Sequence, residues 1–455
     1  MKGKSKVKGQ KAKVKSTGAP VALLTFAFCI LPFDFLLTGC AMAPEASVRK
    51  ALRTGSVVRL PAGLIEIHSE LALPDGAHDV EIIGSGSVLR AASNFRGRAI
   101  LTSKSGTRIR FRDFTIDGNR NAIEQRTGLP DFSTPFRRFT INNGILIEGA
   151  ADVAVSGVSF KQIAGFAILV SGSKQVHIER VRIDDSGSRN PAGRNNTTGG
   201  ILLEEGTSDF HVLDCDLKNV RGNGVWTHSL YTSPRNANGL IAGNRFESLG
   251  RDAIQAGHAT RIRVEGNSGE RIGYPETDVD VENKAIPVAI DTAGNTDRSV
   301  YSGNRFTGIN GKCIDLDGFH HGEVSRNVCV NQRNFGIVMN NTNPDMQSEG
   351  ITIADNTIDG GLYGGIFVIG TGNKVLRNVL RNLNTSHSTG PDLLRSGIYL
   401  GARAERPALA RENVIEGNSI SGFKIRCIAV DPDVSLAENT IGRNQCVDLE
   451  PSSLR

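Results

Sequence analysis

The chain is poor in aromatic residues, which make up 5% of its 455 positions, with one tryptophan and four methionines. So few large rings suit the deep single core of a globular α/β enzyme badly, whereas 52 glycines suit a chain that turns often. Helical periodicity is almost absent after the first 50 residues. No Cys-x-x-Cys or paired Cys/His spacing occurs, which removes the zinc modules. Net charge is missing too, once the first 39 residues are set aside. Those residues carry seven lysines and Asp34, a net +6, which is the formal charge of the entire chain. The remainder is near neutral, so nothing supports a nucleic-acid-binding surface.

What is present is an asparagine that returns on a rung-length period. It stands at Asn244, Asn267, Asn304, Asn327, Asn356, Asn378, Asn418 and Asn439, with steps of 23, 37, 23, 29, 22, 40 and 21 residues. The base is about 22 residues with insertions, and a fixed period of this length marks a solenoid. A second ladder sets a small residue before apolar-x-apolar, as in Gly144-Ile-Leu-Ile, Gly200-Ile-Leu-Leu, Gly224-Val-Trp-Thr, Cys313-Ile-Asp-Leu and Gly397-Ile-Tyr-Leu. Short β-branched runs ended by Gly, Asn or Asp are strands. Two strand registers repeating together predict an all-β, single-stranded parallel β-helix in which each coil buries its inward side chains on the next.

The double ladder resembles the right-handed parallel β-helix repeats of the pectin-lyase-like superfamily, over roughly residues 47–449. Leu60-Pro61-Ala62-Gly63 followed by Ile82-Ile83-Gly84 is similar to the first coils of its pectate-lyase-like and polygalacturonase-like members. The resemblance implies a right-handed coil, here expected over 51–450, with a short helix over 46–53 closing its amino-terminal end. Asn295-Thr296-Asp297 resembles a polygalacturonase motif, and Val225-Trp226-Thr227-His228 a pectate-lyase segment with Thr in place of its acid. The other motifs of those enzymes do not follow in order, so neither activity transfers residue by residue. A fold does not imply a function.

The amino terminus reads as a leader. A basic region and an apolar stretch over 21–37 precede Leu37-Thr38-Gly39-Cys40. These four residues resemble a bacterial lipobox, which implies a lipoprotein-type signal over 1–39, cleavage before Cys40, and lipid on that cysteine. Residues 40–50 are then linker and the start of the cap. The protein is expected outside the cytoplasm, lipid-anchored to a bacterial membrane (the outer one above all) or periplasmic. An uncleaved anchor, or cleavage without lipid, are the alternatives. Beyond the leader, Cys427 and Cys446 read as equivalent positions in successive coils. They stack either as a disulfide in an oxidising compartment or as buried thiols.

Four stretches break the period, at 119–142, 187–199, 269–286 and 387–396, and are expected as loops walling a groove. Along each strand the residues flanking the inward apolar positions face outwards, and coils lie about 4.8 Å apart, so outward residues form files. Polar residues concentrate mid-coil: Trp226, His228, Gln255, Asp291, Asp315 and Asp317. The pattern predicts Asp317 about 7 Å along the strand from Asp315 and about 5 Å across the coils from Asp291. Carboxylates this close cannot all ionise cheaply, and a raised and an unraised carboxyl are what glycoside hydrolysis needs. Asp291, Asp315, Asp317 and His320 are the candidate catalytic residues. Trp226, suited to stacking on a sugar ring, with His228, Gln255, Lys312 and His321, are candidate substrate contacts.

The candidate function is a secreted or surface-anchored hydrolase of an extracellular polysaccharide, an acidic one among the options, needing no metal or cofactor. A polysaccharide lyase, with calcium held by the same acids, and a non-catalytic module binding glycan or protein are the alternatives. The acids also admit the reading of a solvated polar face, and Trp226 that of cover beneath a loop.

Overall fold

The computed structural model describes residues 43–123, 131, 133–190, 193–279, 286–344 and 346–449. The leader with Cys40, as well as Arg126, Asp280 and Glu282 of the expected loops, lie outside the described residues.

Each coil of the chain makes three short strands separated by turns. Phe166–Ser171, Lys174–Glu179 and Arg182–Asp184 form one coil, and Gly199–Glu204 then returns to pair in parallel with Phe166–Ser171. Repetition stacks three faces. The second face is a 16-stranded sheet, and the first and third share a 24-stranded one, because Ser87–Lys104 and Ser419–Val430 run on between those two faces. Alternation decides what enters the core. On the second face Val176 and Ile178 are fully buried, while His177 between them points outwards.

The asparagine period marks the turn between the second and third faces. Asn244 Nδ2 donates to Asn267 Oδ1 (2.9 Å), and the chain of bonds continues through Asn304, Asn327, Asn356, Asn378 and Asn418. Each amide also reaches back to the preceding coil, as where Asn304 Nδ2 donates to the Val264 carbonyl (2.9 Å). The last rung is Asn444, to which Asn418 donates at 2.9 Å, and not Asn439 as the sequence period suggested. Asn439 ends a second, shorter ladder with Asn373 and Asn413, at the turn between the first and second faces.

The cap helix spans Pro44–Ala51, two residues before its expected place. Proline at its start needs no N–H partner, Glu45 pairs with Arg49 one turn on (2.7 Å), and Val48 with Leu52 plugs the open end of the core. The only other α-helix among the described residues is Phe136–Phe139, so none there is long and apolar enough to cross a membrane.

Two disulfides, Cys313–Cys329 and Cys427–Cys446, join residues 16 and 19 apart. The second pair does not occupy equivalent places in successive coils. Cys446 pairs in register with Ile420 on the third face, while Cys427 precedes Ile428 on the first. Both bonds therefore staple a single coil from its first to its third strand. Cys215, buried, is the free cysteine among the described residues. Closing a loop of this size is worth about 3 kcal/mol through the unfolded chain. Cys329→Ala is expected to lower the thermal midpoint by several degrees under non-reducing conditions. Equal midpoints for variant and parent would show that the bond contributes nothing.

The four expected loops fall at one corner, between third-face and first-face strands, although residues 269–272 of the third belong to the strand Ser268–Ile272. Segments 229–235, 341–351 and 401–413 leave at the opposite edge of the first face. The first face is thus a floor flanked by loops on both sides.

Candidate active site

Strand register sets the site. Trp226 pairs with Gln255, Gln255 with Asp291, Asp291 with Asp315, and Asp315 with Val338, so these residues form one outward file on the first face. This corrects the predicted placing of Asp291 beside Asp317. The strand Val288–Thr292 sits two residues further along than its apolar pattern suggests, with Ile290 and Thr292 inward. Thr292 tolerates burial because its hydroxyl meets the Tyr301 hydroxyl at 2.7 Å, also buried. A polar residue on the inward side hid the true register.

Asp291 and Asp315 are 8% and 7% exposed, and neighbouring strand positions lie about 4.8 Å apart. Gln255 Nε2 donates to Asp291 Oδ2 at 2.8 Å, and Asn223 Nδ2 donates to Gln255 Oε1 at 2.6 Å, which orients the Gln255 amide. Asp315 Oδ2 pairs with Nζ of Lys312 on the same strand, leaving its other oxygen buried without a partner. Sequence reasoning missed a third carboxyl, Asp252. It precedes its strand, outside the alternation, and its Oδ1 accepts from the Val288 N–H at 2.9 Å.

These groups line an open cleft of about 350 Å³ with Lys312, Pro287, Val279 and, at its margin, Asp317. Burial is the main force on the acids. It raises Asp291 well above the ordinary carboxylate range, aided by the negative charges of Asp252 and Asp315. Burial likewise raises Asp252 to about 6. Asp315 is raised by burial but held back by the Lys312 ammonium. For Lys312, burial opposes the charge, yet Asp315, Asp291 and Asp317 together lift its pKa. Among the described residues the cleft sets an acid with no ion-pair partner, Asp291, beside a carboxylate with one, Asp315.

Of the remaining candidates, Asp317 only borders the cleft and the histidines lie outside it. Asp317 accepts from the Thr342 N–H (2.9 Å) and its hydroxyl, and pairs in register with Asn340. His320 stands opposite Asp297 on the second face, and Asp297 meets Arg235 at 3.0 Å. His321 is exposed beside Glu349. Neither histidine lines the cleft.

Trp226 is half-buried, edge-on to Phe136 at 5.0 Å between ring centres and to His228 at 5.3 Å. Phe136 comes from the first inserted loop, so Trp226 is partly under cover. Among the described residues, Glu204, Glu205 and His228 bring donor atoms within 4.8 Å of one another, the one such grouping a metal ion would suit. Both glutamates already serve the loops. Glu204 accepts the Phe136 and Arg137 N–H groups (2.8 and 2.9 Å), and Glu205 accepts from Leu230 N–H and the Ser233 hydroxyl. Burial pushes Glu204 up to about 7 and His228 down to about 3.

The fold and the cleft define a parallel β-helix with a carboxylate-lined groove on one face. The chain belongs to the right handed beta helix region family, whose model matches residues 76–274 and 288–448. It is similar to the Streptococcus pneumoniae surface protein and adhesin PfbA, with 12% identity and a TM-score of 0.52 over 88% of this chain and 94% of that one. The A-module of the Azotobacter vinelandii mannuronan C-5 epimerase AlgE4 gives 12% identity and a TM-score of 0.51 over 87% and 95%. The GH136 lacto-N-biosidase of Eubacterium ramulus gives 14% and 0.49 over 80% of this chain, which spans 62% of that enzyme's chain. No curated protein matches. At these identities the likeness is one of fold.

Proposed function

We propose that the chain is a glycoside hydrolase acting on an extracellular polysaccharide, with Asp291 as general acid and Asp315 as base or nucleophile. One observation carries this reading: Asp291 and Asp315 are paired in an open cleft, yet of the two only Asp315 has an ion-pair partner among the described residues. Environments that push two carboxyls apart assign the acid and the base. Asp291, protonated, can give its proton to the glycosidic oxygen. Asp315, whose burial-raised pKa Lys312 holds back, can in its ionised form activate water or attack the anomeric carbon. Asp252 adds negative charge that favours the protonated form of Asp291.

Hydrolysis is favoured over lysis because the Lys312 ammonium is committed to Asp315 and no histidine among the described residues reaches the cleft to take a proton beside a uronate carboxyl. Arg251, the remaining basic residue of its described lining, donates to Asn223 and lies beside Asp252. Hydrolysis needs no cofactor; calcium enters only with a lyase. Proteins of similar fold include an epimerase of mannuronan and a surface adhesin, so a binding module remains the second reading, favoured by the rings around Trp226. The same proposal puts the protein outside the cytoplasm with lipid on Cys40, and Cys40→Ser should release it from membranes.

The test is a screen of purified residues 41–455 on a panel of polysaccharides, read by new reducing ends and by absorbance of unsaturated products. Unsaturated products would turn the reading to lysis. On a cut substrate, activity should be bell-shaped in pH. It falls at high pH as Asp291 loses its proton and at low pH as Asp315 gains one. Lys312→Met removes the charge holding Asp315 down, so the low-pH limb should move upward while the high-pH limb shifts less. A rigid shift of both limbs would contradict the assignment.

A further inference from the structure

Two coils before the acids lies a second cavity, of about 330 Å³, lined by Phe136, His228, Tyr231 and His258, with the Thr134 and Thr232 side chains around it. Its rings form a continuous cluster. Tyr231 meets His258 at 4.6 Å, His258 meets His228 at 5.3 Å, and His228 meets Phe136 at 5.2 Å, with Trp226 packed behind. In a chain this short of aromatics the concentration is marked, and Tyr231 keeps 67% of its surface exposed. An exposed ring edge-packed on another offers a fixed apolar face at small entropic cost.

The cavity shares its floor with the acid cleft. His228 ends the strand Asn223–His228, whose Trp226 pairs with Gln255 and through it with Asp291. Two coil spacings, about 10 Å, separate that strand from Asp291, and one spacing is close to the advance of one pyranose unit. A glycan lying along the axis would therefore place one sugar over the rings when another bond lies at the carboxylates.

The charge of the cavity narrows the sugar. No lysine or arginine is among its described lining residues, and Asp131 adds a negative charge. Burial holds both histidines neutral, His228 at about 3 and His258 at about 4, the latter also repelled by Arg235. Among the described lining residues a uronate carboxylate finds no cation, and Arg235, the cation near His258, is already paired with Asp297.

We propose that this ring-lined cavity is a subsite for an uncharged pyranose of the bound glycan, so that the substrate is neutral at this position. The inference rests on the hydrolase reading for its second sugar but is testable without turnover, because the single tryptophan stands against the cluster. Trp226 emission is read while the protein is titrated with gluco-, xylo-, manno- and galacto-hexaoses, and separately with galacturonate and mannuronate hexamers. At least one neutral hexaose should shift the emission saturably, with the uronates at least tenfold weaker. Tyr231→Ala should weaken that binding at least tenfold with an unchanged thermal midpoint, and Tyr231→Phe should restore it. Uronates that bind equally well, no response to any neutral hexaose, or tight binding by Tyr231→Ala would each overturn the proposal. A glycan that binds at Trp226 and is never cut keeps the subsite and removes the hydrolase. One that is cut with no dependence on Tyr231 does the reverse.

Discussion

Replacing Asp291 by asparagine is expected to lower turnover by at least about a hundredfold, the usual worth of a positioned general acid. The amide keeps the volume and can still accept from Gln255, so substrate affinity should change little. Stability supplies the control. Folding raises the pKa of Asp291, so the carboxyl favours the folded state below its unfolded pKa. That contribution is lost as pH rises through the folded value. The amide of the Asp291→Asn variant has no such proton to lose. The variant should therefore gain stability over the parent as pH rises above the ordinary carboxylate range, even as it loses activity. Full turnover by Asp291→Asn on a substrate cut by the parent would place the chemistry elsewhere. Asp317→Asn, by contrast, removes an acid with its own partners at Thr342, and should cost far less.

The second large effect is structural. Asn304→Ala should destabilise the coil by about 3–5 kcal/mol, read from the midpoint of chemical denaturation. The residue is 1% exposed. Its carbonyl oxygen accepts from the Asn267 N–H and the Asn267 amide, and its own amide donates to the Val264 carbonyl and to Asn327. Truncation strips partners from several buried groups at once, each worth about 1–3 kcal/mol. Asn304→Asp keeps the acceptor but has no amide to donate, and its charge would be buried, so it should not rescue. A loss within about 0.5 kcal/mol for the alanine variant, less than one ordinary hydrogen bond, would show that the ladder follows the fold without holding it.

The architecture was readable because inward residues and turn asparagines recur once per coil, and each recurrence has a packing or hydrogen-bonding cause. What escaped was whatever departs from that alternation for a local reason. Thr292 looks outward by polarity yet is inward, satisfied by Tyr301, and the misreading moved Asp291 one file across. Asn439 stands before Thr440-Ile441, the same Asn-x-Ile form as the rungs at Asn356 and Asn418, so it, from the shorter ladder, stood in for Asn444. Asp252 belongs to no strand, and only the folded turn brings it to the cleft. Cys313 and Cys329 meet inside one coil, a closure that rung-to-rung comparison does not examine. The acids at 291 and 315 were visible as a cluster. Their unequal charge environments depended on Lys312 and on depth, which only coordinates give.

The file that runs from Trp226 to Val338 also acts as a ruler with one mark per coil. Because strand pairing is in register at every mark, exchanging side chains of this file between neighbouring marks moves a chemical group by one fixed step and leaves the inward side chains in place. An acid introduced at Val338 would stand next to Asp315, on the side away from Asp291. Under the proposed hydrolysis, the place where a bound chain is cut becomes an address along the axis, open to relocation by single substitutions where a folded pocket would have to be rebuilt.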